Sequence, residues 1–193
     1  MSSGLAFEPR QVLLFSGHRV DAPGRVPARF PASKVAAATA AIDAAIDRLD
    51  VGAADLALTQ GSAGGDLLFA EACLRRGARL ELLLPTDESH FIEESVRDAD
   101  DGDRWVERYR AVRVRLQASP RVLQADPLRP DADRFERCNE WLLDTAFAWG
   151  AGRVHFICLW DGGAGDGPGG TAHFVDEVRR RDVPVVWLDV RRL

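Results

Sequence analysis

Short runs of consecutive apolar residues alternate along the chain with segments in which apolar residues recur at helical spacing. Gln11–Phe15, Asp55–Thr59, Arg79–Leu84 and Val154–Trp160 are apolar-rich runs, each followed within two residues by Gly, Pro or Asp. That is the pattern of strands buried on both faces. Arg121–Ala125 is a weaker strand, and Val183–Val190 is a final one with Pro184 near its start. Between them, Ala32–Leu49 carries Val35, Ile42, Ile46 and Leu49 on one helical face. Gly65–Arg76 reads as a helix stopped by Gly77, followed later by helices over 103–116, 133–149 and 171–181. The stretch after Pro85 reads as a polar connection. Strands alternating with helices predict an α/β fold: a three-layer domain with a mostly parallel sheet of about six strands. No linker divides two cores, so residues 1–193 are expected to form a single domain, with 1–10 a loosely ordered N-terminus.

Composition narrows the function classes. Of the 193 residues, 46% are hydrophobic and 28% charged, which is globular rather than disordered. No apolar run approaches the ~18 residues of a membrane span, and residues 1–10 lack the features of a secretory signal. Cys73, Cys138 and Cys158 are odd in number and widely spaced, giving neither a disulfide framework nor a zinc pattern. A cytoplasmic location, no membrane partner, no metal and no resident cofactor are therefore expected. A net charge of −5 argues against a nucleic-acid partner. Local charge differs: from His18 to Arg29 the chain carries Arg19, Arg25 and Arg29 against Asp21 alone.

In an open parallel sheet, ligands bind beyond the carboxyl ends of the strands, where strand-to-helix loops gather. The first such loop opens Ser16-Gly17-His18-Arg19. The second is Gly61-Ser62-Ala63-Gly64-Gly65-Asp66, and the fifth runs from Asp161 to Thr171 through Gly169 and Gly170. Glycines permit positive φ and close backbone approach, and the first N–H groups of a following helix favour an anion. The expectation is a Rossmann-like domain binding phosphate at Gly17, His18, Arg19, Gly61, Ser62, Gly64, Gly65, Asp66, Gly169, Gly170 and Thr171. Asp161 is placed to reach a ribose hydroxyl. Arg137 and Asn139, near the start of the fourth helix, complete the ligand set. The alternatives at each point are ordinary ones: Asp66 and Thr171 as helix caps, and arginines paired on the surface.

In order and spacing, FSGHR, GSAGGDLLFAEA, LELLLP, FERCNEWL and FICLWDG…GPGGT resemble the SLOG superfamily over nearly the whole chain. These are Rossmann-like domains related to the Lonely-guy phosphoribohydrolases and to sensors of nucleotide-derived signals. The resemblance implies phosphate and ribose contacts at Gly61, Gly64 and Gly65, with Gly169, Gly170 and Thr171 facing the phosphate from the other side. It also implies a homo-oligomer, with an effector protein as partner. The hydrolase motif PGGxGTxxE stands here as Pro168-Gly169-Gly170-Thr171, without the further glycine that separates the glycine pair from the threonine. The leading expectation is thus a sensor module for a nucleotide or nucleotide-derived small molecule, either ADP-ribose-like or a nucleoside monophosphate. The alternative is an N-glycosidase acting on nucleoside 5′-monophosphates, with Glu71 and Glu177 as catalytic carboxylates. A non-catalytic oligomeric scaffold is the third reading.

Overall fold

The computed structural model describes residues 7–129, 131–164 and 169–193. Residues 1–6 of the expected loose N-terminus, and Gly165 to Pro168 of the fifth loop, lie outside the described residues.

Six strands form one sheet: β1 (Val12–Gly17), β2 (Leu56–Thr59), β3 (Arg79–Leu84), β4 (Arg121–Val122), β5 (Val154–Trp160) and β6 (Val185–Asp189). Every pairing is parallel, in the order β4-β3-β2-β1-β5-β6. The helices are α1 (Val35–Arg48), α2 (Gly65–Arg75), α3 (Glu88–Phe91), α4 (Gly102–Arg113), α5 (Arg134–Phe147) and α6 (Thr171–Arg180). The arrangement is α/β and Rossmann-like, as the apolar pattern predicts.

Each central strand is buried on both faces, so its side chains alternate between two cores. Leu13 and Phe15 of β1 join residues of α1, α2 and α4, whereas Val12 and Leu14 join α5 and α6. The division follows from handedness. A chain stepping from β1 toward β4 keeps right-handed crossover helices on one face, and reversing toward β5 and β6 places the next helices on the other. Phe15 and Phe69 stack at 4.7 Å between centroids and fix α2 against β1.

Local chemistry sets the element ends. Asp133 caps α5, accepting from the N–H groups of Phe135 and Glu136 at 2.9 Å each. Gly77, at φ +81°, ends α2. The stretch expected to be a polar connection after Pro85 is partly helical: α3 runs into a π-helical turn, Ile92–Val96. Phe91 and Val96 are fully buried, which anchors this segment although its composition is polar. Among the described residues no helix is long and apolar enough to cross a membrane.

Candidate functional site

The chain walks outward from β1 to β4 and then returns to lay β5 on the other side of β1. Between β1 and β5 the loops therefore part in opposite directions, and a crevice opens at the carboxyl edge. A cavity of about 390 Å³ lies there. Its floor is Ser16-Gly17-His18 at the end of β1, and loop one forms one wall through Arg19, Asp21, Arg25 and Arg29. Gln60, Ser62 and Asp66 come from the second loop, Phe135 and Asn139 from α5, and Gly169, Gly170 and Thr171 from the approach to α6.

The second loop departs from its expected role. Asp66 lies in the first turn of α2, and its Oδ2 accepts from the N–H of Gly61 at 3.2 Å, the N–H of Ser62 at 3.3 Å and Ser62 Oγ at 2.9 Å. The protein's own carboxylate thus fills the cradle expected to hold a phosphate. Burial pushes the Asp66 carboxyl up to about 6, against the pull of these hydrogen bonds. The N–H of Gly65 donates to His18 O at 3.0 Å, and that of Ala63 to Ser95 O at 2.9 Å. Gly64 and Gly65 are needed because loop one lies against the first and the end of β1 against the second. A Cβ on Gly64 (φ +110°) would sit 2.6 Å from Val20 N, and one on Gly65 would sit 3.1 Å from the Phe15 ring. Gly61, Gly64 and Gly65 do not line the cavity.

Three other expected ligand contacts hold loops together. Arg19 donates to Glu94 O at 2.8 Å and to Asp98 Oδ2 at 2.9 Å, tying loop one to the third connection. His18 Nε2 accepts the Asp161 backbone N–H at 3.1 Å and is equally close to Asp161 Oδ1. Asn139, only 3% exposed, donates to Gly169 O at 2.7 Å and accepts from Gln60 Nε2 at 2.8 Å. Asp161 does not line the cavity; it stands behind it, pairing with Arg29 Nε at 3.2 Å. Burial pushes the Asp161 carboxyl up, but the Gly163 N–H, His18 and Arg29 outweigh it and hold the group below its ordinary range.

The remaining expected residues lie elsewhere. Arg137 turns away and donates to Gln124 O at 2.9 Å. Glu71 forms a two-pronged pair with Arg108 at 2.7 and 2.6 Å, facing α4. Glu177 pairs with Arg180 on α6. Neither carboxylate lines the cavity.

The start of α6 lies on the cavity, and Thr171 does not cap it. Asp133 caps α5 and loop one accepts from the first turn of α2, but no side chain caps α6. Gly170 and Thr171 line the cavity, and Ser16 Oγ lies 3.4 Å from Thr171 Oγ1. Sequence reasoning missed Gln60, Ser95, Asp98 and Phe135. Ser95 and Asp98 sit on the β3-to-α4 connection, which a parallel sheet also delivers to the carboxyl edge, so topology held the signal. Ser95 is 2% exposed, lines the cavity, and its Oγ has no hydrogen-bond partner among the described residues. No group of His, Cys, Asp and Glu suited to a metal ion is found among the described residues.

No protein-family model matches the sequence, and no curated protein matches it.

Proposed function

We propose that this cavity binds a phosphate-bearing small molecule derived from a nucleotide, and that the domain acts as a sensor of it. The uncapped start of α6 carries the reading. Its first N–H groups, beside the hydroxyls of Ser16 and Thr171, adjoin a cavity at which the starts of α2 and α5 are closed by the chain's own groups. An anion there receives backbone N–H groups and the positive end of a helix dipole. Arg25 and Arg29 also line the cavity, beside Asp21 at 3.6 Å and Asp161 at 3.2 Å respectively. The resemblance to the SLOG superfamily supports the same ligand class. The cleavage alternative loses its nominated carboxylates, because Glu71 and Glu177 lie outside the cavity. A homo-oligomer that passes ligand occupancy to an effector protein belongs to the same proposal.

The test is native mass spectrometry with nucleoside monophosphates, ADP-ribose, cyclic ADP-ribose and NAD, scoring both retained compound and released base. Retention without turnover is expected. Ser16→Ala and Thr171→Val should each weaken binding about tenfold or more, the scale of a hydrogen bond to a charged group. Base release from any compound would replace the sensor with an enzyme. Retention of no compound would remove the nucleotide reading.

A further inference from the structure

We propose that Gln60 reads a hydrogen-bond donor on the ligand, and that Asn139 is the positioning residue that fixes it for that task. The inference rests on the nucleotide reading above. Its basis is an amide relay across three separate elements. Gly169 O, a carbonyl, can only accept, so the Asn139 terminus 2.7 Å away must be Nδ2. Asn139 Oδ1 then faces Gln60, and the Gln60 terminus 2.8 Å away must be Nε2. With both ends of Asn139 engaged inside the protein, the orientation of Gln60 is no longer free. Gln60 lines the cavity, and its Oε1 has no protein hydrogen-bond partner among the described residues.

An amide oxygen held in this way accepts and does not donate. A phosphate dianion offers it nothing, so the oxygen addresses another part of the ligand. On a nucleotide the matching groups are a ribose hydroxyl or an exocyclic amine. The buried Ser95 hydroxyl, on the same cavity and without a partner, is a second polar group awaiting a ligand atom. The relay ends on Gly169, next to the Gly170-Thr171 start of α6. Donor recognition at Gln60 and phosphate recognition at α6 are therefore joined through one buried side chain. Sites built to hydrogen-bond a ligand group reject analogues lacking it far more strongly than apolar pockets reject a size change.

The experiment titrates AMP and ADP-ribose, each beside its 2′-deoxy, its 3′-deoxy and its purine (6-deamino) analogue, into wild type, Gln60→Met and Asn139→Leu. Wild type is expected to lose about tenfold or more in affinity when one of these donors is removed. Gln60→Met should bind the parent compound and that analogue within about twofold of each other. Asn139→Leu, which keeps the bulk but removes both hydrogen bonds, should weaken every compound and erase the same discrimination. Gln60→Ala removes the amide without bulk and serves if the Met variant melts early. Discrimination that survives in the Gln60 variants, or a wild type indifferent to every deletion, would overturn the inference and leave the nucleotide reading intact. A wild type retaining neither AMP nor ADP-ribose would overturn the inference together with that reading.

Discussion

A carboxylate that accepts several hydrogen bonds is ordinarily held anionic, but at Asp66 burial prevails and lifts the group to about 6. The sign of the consequence follows from linkage. A folded-state value above the unfolded one gives stability that is fully present below the unfolded pKa and lost as pH rises through the folded one. Asp66→Asn should therefore gain on wild type by roughly 2–3 kcal/mol between about pH 4 and pH 7, at 1.36 kcal/mol per unit. Urea unfolding of both proteins at the two pH values measures this, and a constant difference would contradict the raised value. Gly64 makes a purely steric prediction. Gly64→Ala must place a Cβ at φ +110°, 2.6 Å from Val20 N, so it should cost about 3 kcal/mol or more. The loss would appear in the denaturation midpoint of the ligand-free protein, which separates a packing role from a binding one.

Helix starts divide the labour at the scale of elements. α5 is closed by Asp133, and Asp133→Ala should lower stability by about 1 kcal/mol, seen as a lower melting temperature. α5 also interlocks with the fifth loop, since a Cβ on Gly169 would meet Phe135 Cβ at 2.6 Å. The capped helix thus braces the open one, and anion affinity should fall with cap removal by less than with loss of Ser16 or Thr171. The connection through the π-helical turn Ile92–Val96 places Ser95 and Asp98 on the cavity, and π-helical turns recur at functional sites.

The whole molecule is one sheet carrying two cores, with Trp105 packed in the first and Trp160 in the second. Both cores share the side chains of β1, β2 and β5, which point alternately into each. Loss of either core removes half the support of the same strands, so unfolding should be a single cooperative transition. Tryptophan fluorescence and far-ultraviolet circular dichroism should give coincident curves in urea. Two separated transitions would show that the cores unfold independently.

The apolar pattern carried the elements. β3 and β5 begin and end at the predicted residues, because strands covered on both faces are dominated by apolar residues, a local property of the chain. The gathering of Gly17, Ser62, Gly170 and Thr171 on one cavity was legible too, since parallel strands deliver every strand-to-helix loop to a single edge. What each residue does there was not. Glycine spacing is the same whether a neighbouring loop or a phosphate approaches the backbone, and the fold chose the loop at Gly64 and Gly65. Asp66 reads locally as a helix cap, but only the closed turn of the second loop brings the three donors to its Oδ2. Gln60, Asn139 and Gly169 are 79 and 30 residues apart along their two bonds. Nothing local links them, because side-chain hydrogen bonds across elements depend on packing distances that no periodicity encodes.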